Sequence, residues 1–316
     1  MADKELNRRI SGLAQGPGPV LFVTDLDGTL LDDRSRVSLR SCRLLNEAID
    51  RGAIFSVATA RTPATVGELL AGVDMRVPAI VMTGAALWNP RTGRYSDVRR
   101  FPAQAARELV GLYAEMRFPA FVYTFSDVDE GEHPGFVTNG VIDIYHLGPM
   151  SDAERKFLRA RVDNPLKRDC TGTCCVRPWE LPASFDPSRM VIAFALQPLE
   201  KVRAVYEAVR ERKIPCAPLY YRDGVPADMA EMEVFAPGTS KAHALERLRE
   251  MTGARRVVVF GDNRNDMPMM EAADIAVAPA NAIPEVLEKA DIVIGANTDD
   301  SVADFILRFT NMTGGH

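Results

Sequence analysis

The chain predicts an α/β fold built on a parallel sheet, and three observations carry that reading. Short apolar runs alternate with segments of helical period over residues 20–83, giving β-α-β-α-β, a pattern that demands parallel strands joined by right-handed crossovers. Two apolar runs far apart in the chain, Leu21-Phe22-Val23-Thr24 and Val257-Val258-Val259-Phe260, each stop abruptly at acids. The chain also has 316 residues, 47% of them hydrophobic, enough to bury two sizeable cores.

In order, residues 1–17 are polar, end in Gly and Pro, and read as a tail. A strand follows at 20–24, and Ser and Arg residues lead into a helix over 39–51, with Gly52 suited to its carboxyl end. A buried strand at 53–58, a helix at 63–72 and a strand at 79–83 complete the β-α-β-α-β unit. From Trp88 the pattern changes, and Asn89-Pro90-Arg91-Thr92-Gly93 marks an exit hairpin or loop. Beyond it come a helix at 103–116, a strand at 120–125, a helix at 152–162, a strand at 189–196 and a helix at 199–212. The first unit resumes near 232–235, and Ser240 is suited to cap a helix that opens at Lys241. After the strand at 257–260 the order is helix 268–273, strand 275–278, helix 284–290, strand 291–294 and helix 302–309, with no internal repeat and no low-complexity segment.

The formal charge of −5 is mild and dispersed, which argues against a nucleic-acid partner held by a basic face. No apolar run is long enough to span a bilayer, and residues 1–10 lack the apolar centre of a secretory signal. The expectation is a cytoplasmic protein without a membrane partner. Five cysteines, two of them the neighbours Cys174 and Cys175, fit neither a disulfide framework nor a structural zinc site, so reduced and mostly buried thiols are expected.

The acids carry the chemistry. Asp25 and Asp27 lie two residues apart where a buried strand turns, so both side chains can converge on the crevice at the strand's carboxyl end. Gly28 permits a backbone angle closed to other residues, and the Thr29 hydroxyl can bond back to the turn. Carboxylates this close repel and need a bound cation or a shared proton. Magnesium suits such oxygen donors, since it is commonly held by one or two carboxylates with phosphate and water completing the shell. For a lone Asp-x-Asp a solvated turn after a buried strand is the preferred reading. The recurrence of the pattern at Gly261-Asp262-Asn263-Arg264-Asn265-Asp266 instead suggests one metal site.

These residues resemble the motifs of the haloacid dehalogenase-like hydrolases. Asp25-Leu26-Asp27-Gly28-Thr29-Leu30-Leu31 resembles the first motif, Ser56-Val57-Ala58-Thr59-Ala60-Arg61 the second, Pro237-Gly238-Thr239-Ser240-Lys241 the third and Gly261–Asp266 the fourth, in the family's order. The long interval between the second and third resembles the Cof-like branch, which carries a large α/β cap there. The resemblance, spanning about 18–310, implies a doubly wound, Rossmann-like core at 18–87 and 232–316 with an inserted cap, the specificity domain, at 88–231. Two departures stand out: Thr83-Gly84-Ala85 where relatives commonly have Asn-Gly-Ala, and Ala60 where they often have Gly.

The resemblance implies a magnesium-dependent phosphatase acting on a small phosphorylated metabolite, with a sugar or polyol phosphate as first expectation. Asp25 would be the nucleophile that forms an aspartyl-phosphate, and Asp27 would protonate the leaving oxygen and then activate water. Mg2+ would be held by Asp25, the backbone carbonyl of Asp27, and Asp262. Thr59 and Lys241 would bind phosphate. Asn265 and Asp266 would support them by orienting phosphate, Lys241 or a metal-bound water, Asp266 alternatively ligating the metal itself. Arg61 is a candidate for contacting substrate or cap. A carboxylate at position 27, absent from dehalogenase relatives, favours phosphoester hydrolysis over carbon–halogen cleavage. Two other readings stay open, a phosphomutase or phosphotransferase of the same fold and a non-catalytic phosphometabolite-binding regulator. Cap candidates for sugar contacts are Tyr123, Asp127, Asp129, Glu130, His133, His146, Arg177 and Trp179; oligomeric state is not encoded in any motif.

Overall fold

The computed structural model describes residues 3–16, 18–127, 140–152, 154–155, 176–177, 179, 185–222 and 225–313. Two compact units result, residues 1–94 with 240–316, and residues 95–239.

The first unit begins with α1 (Asp3–Leu13), so most of the expected tail is helical. Ile10 is buried, and the Arg256 guanidinium closes the helix's carboxyl end by donating to the carbonyls of Leu13 and Gln15, both at 2.9 Å. Helix-terminal carbonyls lack partners of their own, and here a distant arginine supplies them. Next come β1 (Val20–Thr24), α2 (Leu39–Asp50), β2 (Ile54–Val57), α3 (Pro63–Leu69), β3 (Ala79–Val81) and β4 (Ala86–Trp88). The Ser38 hydroxyl caps α2 by accepting from the Ser41 amide, and Pro63 opens α3, where a missing N–H does no harm. β3 ends earlier than expected because Met82, Thr83 and Gly84 all have positive φ (52°, 56° and 91°), turning the chain back into an antiparallel pair with β4.

In the second unit the elements are β5 (Tyr95–Ser96), α4 (Ala103–Glu115), β6 (Ala120–Asp127), β7 (Gly140–Leu147), β8 (Val176–Arg177), β9 (Met190–Pro198), α5 (Leu199–Glu211), β10 (Ala217–Tyr221) and β11 (Met229–Phe235). A six-stranded sheet runs β10-β11-β9-β6-β7-β8, antiparallel except for the β7–β8 pair. Leu109 and Leu112 of α4 and Val202, Val205 and Val209 of α5 pack with Val122, Met190 and Val234 into one core. Residues 232–235, expected at the return to the first unit, instead belong to β11, paired on both sides by β9 and β10; the return falls at Ser240. Of the expected helix 152–162, Asp152, Glu154 and Arg155 are helical, and the remainder lies outside the described residues.

The first unit then resumes with α6 (Lys241–Thr252), β12 (Arg256–Phe260), α7 (Met267–Glu271), β13 (Ile275–Pro279), α8 (Pro284–Lys289), β14 (Ile292–Ile294) and α9 (Ser301–Thr313). Its sheet runs β14-β13-β12-β1-β2, every pair parallel, and a parallel bridge from Ala58 to Ile80 joins β2 toward β3. Both faces are covered, as continuous apolar strands require. Leu21, Val23, Val257 and Val259 face Leu245, Leu248 and Met269, while Phe22 and Phe260 meet Phe309 and Phe305 edge to face. The doubly wound α/β core is therefore the one expected. Strand order proceeds outward from β1 to β2 and resumes on the opposite side at β12, so the topological switch lies between β1 and β12, where open α/β sheets bind ligands.

Candidate active site

Asp25 and Asp262 follow the two strands that flank this switch. The register Thr24↔Phe260 ends the pairing of β1 with β12, and the Asp25 amide extends it by donating to the Phe260 carbonyl at 2.9 Å. The two strand ends are thereby locked side by side, and with them the first and fourth motifs. Two glycines make the approach possible. A Cβ on Gly28, whose φ is +78°, would collide with the Asp262 carboxylate, and one on Gly261 would collide with Asp266. Thr29 does not bond back to its own turn as expected; its hydroxyl donates to Asp262 Oδ1 at 2.7 Å. The turn is fastened across the sheet.

At the centre is Lys241, almost fully buried at the start of α6. Its Nζ donates to Asp25 Oδ1 at 2.5 Å and to Asp266 Oδ1 at 2.7 Å. The other Asp266 oxygen accepts the amides of Asp262 and Asn263 at 3.1 and 3.2 Å, which makes Asp266 the keystone of the fourth motif. Ser240 caps α6, its hydroxyl accepting from the His243 amide at 3.1 Å. The helix start is set against Gly84, where a Cβ would strike the Ser240 carbonyl. Thr59, also buried, donates its amide to the Ile80 carbonyl and accepts the Thr83 amide, both at 3.0 Å. Its hydroxyl oxygen accepts the Arg61 amide at 3.1 Å, leaving the hydroxyl proton available to another acceptor.

Asp25, Asp262 and Asp266 each offer a carboxylate oxygen, and these oxygens lie within 4.8 Å of one another. A purely oxygen donor set of this kind is able to hold a hard divalent cation. Burial pushes the Asp25 carboxyl above the usual carboxylate range, with the charges of Asp266 and Asp262 adding to the effect and Lys241 opposing it. Burial alone would lower Lys241, but Asp25 and Asp266 outweigh it and hold the ammonium above its usual range. Asp262 is pushed up to about 6, mainly by burial, against the Thr29 hydrogen bond. A second cation would relieve Asp25 and Asp262.

Asp27 behaves differently. Its side chain is 53% exposed and pairs with Arg61 through both oxygens, Nε to Oδ2 at 2.7 Å and Nη2 to Oδ1 at 2.6 Å. Asn265 is half-buried on the short turn Arg264–Asp266, and the hydrogen bonds that join this cluster do not pass through its side chain. Sequence reasoning missed Asn281, whose amide donates to the Gly28 carbonyl at 2.7 Å while its oxygen accepts the Asn297 amide at 2.9 Å. The available signal was its position just past the carboxyl end of β13, the same location that selected the acids.

The second unit's candidates divide. His146 is fully buried, its Nδ1 3.2 Å from the Gly148 carbonyl and its Nε2 3.6 Å from Glu154 Oε1, so it belongs to the interior of that unit and not to a loop. Tyr123 is buried as well. Trp179 lies beneath the Arg117 guanidinium at 5.1 Å. Asp127 closes β6 and Arg177 closes β8; Asp129, Glu130, His133, Cys174 and Cys175 lie outside the described residues. Cys42 and Cys216 are free and half-buried, less enclosed than expected.

Fold and site define a class first, an α/β protein that gathers acids, an ammonium and a hydroxyl at the switch point of a doubly wound sheet. The family follows from comparison: a sequence model of the haloacid dehalogenase-like hydrolases matches residues 22–135 and 196–306, and the chain belongs to that family. It is 26% identical over 297 residues to pyridoxal phosphate phosphatase YbhA of Escherichia coli (strain K12), covering 90% of this chain and 97% of that protein. Identity is 23% over 313 residues to 5-amino-6-(5-phospho-D-ribitylamino)uracil phosphatase YitU of Bacillus subtilis (strain 168), covering 93% and 98%. A crystal structure of a haloacid dehalogenase-like hydrolase from Bacteroides thetaiotaomicron superposes with a TM-score of 0.67 at 19% identity, covering 92% of this chain and 98% of that one. The expected family, with the large insertion of its Cof-like branch, is the right one, and the chain is a hydrolase of that family, similar to the two phosphatases above. No helix among the described residues is long and apolar enough to cross a membrane.

Proposed function

We propose that the protein is a magnesium-dependent phosphatase of small phosphorylated metabolites, working through an aspartyl-phosphate on Asp25. The observation that carries this reading is the buried Lys241 ammonium bridging Asp25 and Asp266, with a carboxylate of Asp262 in metal-sharing reach of both. Asp25, Asp262 and the Asp27 carbonyl would hold Mg2+, with Asp266 as a support or further ligand. When bound, the ion neutralises charge on the transferring phosphoryl group. Lys241 and the free proton of Thr59 are suited to the phosphoryl oxygens, and Asn265 is a further phosphate contact in this reading.

In the first half-reaction an Asp25 oxygen bonds to phosphorus as the bond to the leaving oxygen breaks, and that oxygen takes the proton of Asp27. In the second, water attacks phosphorus, Asp27 accepts a water proton, and the Asp25 carboxylate is released with inorganic phosphate. The substrate class is a phosphate ester of a sugar or polyol. Support for the polyol ester comes from the relative named for a phospho-ribityl compound, while the one named for pyridoxal phosphate supports only a small phosphate ester. The inserted unit is assigned the selection among such esters, and the free Cys42 and Cys216 suit the cytoplasm as the compartment. A screen of phosphorylated metabolites, preceded by an aryl phosphate with Mg2+, tests the reading. Metal-dependent release of inorganic phosphate is expected, and transfer to an added acceptor sugar in preference to water, or no turnover of any ester, would overturn it.

A further inference from the structure

Arg61, a candidate for contacting substrate or the inserted unit, is engaged with a residue of the site. Its guanidinium takes both oxygens of Asp27, a planar fork-to-fork geometry that fixes direction as well as distance. Asp27 needs such a hold. It stands on a turn beside Gly28 at φ +78°, its side chain is 53% exposed, and no other side chain is bonded to its carboxylate among the described residues. A half-exposed aspartate in that setting would otherwise move among rotamers.

Arg61 is itself anchored. Its amide donates to the Thr59 hydroxyl, and its carbonyl accepts the Met82 amide at 3.0 Å. The hydrogen bonds and charge of Asp27 hold the Arg61 guanidinium above the ordinary range, with the charge of Asp25 adding a smaller part. One short segment, Thr59 to Arg61, therefore carries both a hydroxyl suited to phosphate and the grip on the proposed proton donor. We propose that Arg61 is a positioning residue that aims the Asp27 carboxyl at the leaving oxygen: the two-bond fork belongs to the ionised form, and when one oxygen takes up the proton for delivery its bond to the guanidinium opens while the other bond keeps the group aimed. The inference rests on the phosphatase reading. Proton and bonds balance as above: the ester oxygen leaves phosphorus, gains the Asp27 proton and departs as an alcohol.

The test exploits the leaving group. A dinitrophenolate leaves without protonation, whereas an alkoxide does not, so loss of a positioned acid injures only the second class of ester. General-acid catalysis contributes about 10²–10⁴-fold, and kcat/KM reports the steps through first phosphoryl transfer. For R61A the expected result is a fall of about 10²-fold in kcat/KM with an alkyl phosphate and less than about 5-fold with 2,4-dinitrophenyl phosphate. D27N should show the same split, and R61A/D27N should be no worse than D27N alone. R61Q, which keeps the length but not the fork, serves as a second variant, with thermal melting of each to verify folding. Equal losses of R61A on both esters, or losses in the double variant that multiply, would overturn the positioning role. If D27N itself shows no split, the phosphatase reading of Asp27 fails instead, and the two failures are told apart.

Discussion

The floor and the rim of the site treat charge in opposite ways. On the floor, Asp25, Asp266 and Lys241 are buried and bonded to one another, so each charge exists only because its partners do. At the rim, Asp27 and Arg61 form a pair that solvent reaches, and exposed pairs contribute little to stability. Removing a floor residue should therefore damage both chemistry and fold, whereas removing a rim residue should change chemistry alone. The difference separates charges that build the site from charges that operate it.

The largest effect should come from the floor. Asp25→Asn is expected to lower kcat by ~10³-fold or more with any ester, since a removed nucleophile takes the whole covalent route with it. Lys241→Ala should lower kcat/KM by at least ~10²-fold, as loss of one preorganised electrostatic group does. It should also destabilise by about 3–5 kcal/mol, because two buried carboxylates lose their counter-charge. Steady-state kinetics and denaturant titration check these together, and a fully stable Lys241→Ala protein would erase the contrast between floor and rim. The rim counterpart is the Arg61 variant, expected to melt close to wild type while splitting the two classes of ester.

Metal and pH sharpen the same contrast. Asp262 has its folded value raised to about 6 from an ordinary 3.8, so between those values the native state binds more protons than the unfolded one. Its contribution to stability is then present below about pH 4 and is lost as pH rises toward 6. Without metal, the contribution of this site to the melting temperature should decline across that window. Added Mg2+, which needs the ionised carboxylates, should raise the melting temperature more at pH 7.5 than at pH 5. Calorimetry at both pH values with and without Mg2+ checks this; an equal or larger shift at pH 5 would contradict it.

The smallest effect concerns the strained turn beside the floor. Thr83 has a β-branched side chain at φ +56°, a conformation that Asn tolerates far better. Thr83→Asn should stabilise the protein by about 1 kcal/mol, read from denaturant unfolding.

Much of this was legible because the first, second and fourth motifs each sit where a buried strand of the core sheet runs out. Continuous apolar runs identify strands covered on both faces, and acids immediately after them have few reasons to be there except a crevice. Other features required three dimensions. The helix α1 has Leu6, Ile10 and Leu13 at helical spacing, but Gly12 weakens it locally, and its carboxyl end depends on Arg256. The partner of Thr29 is 233 residues away, and Arg61 meets Asp27 only because β1 and β2 lie side by side. In the second unit, β7 and β10 acquire their identity from antiparallel partners, and Met229–Phe235 reads equally well as a strand of either unit until its neighbours are known.

The most direct measurement traps the intermediate. Enzyme mixed with Mg2+ and an aryl phosphate, quenched in acid within a turnover and mapped by mass spectrometry, should carry one phosphoryl group on the peptide containing Asp25, absent in Asp25→Asn. Turnover with no phosphoryl group on that peptide, or with one on another residue, would contradict the account.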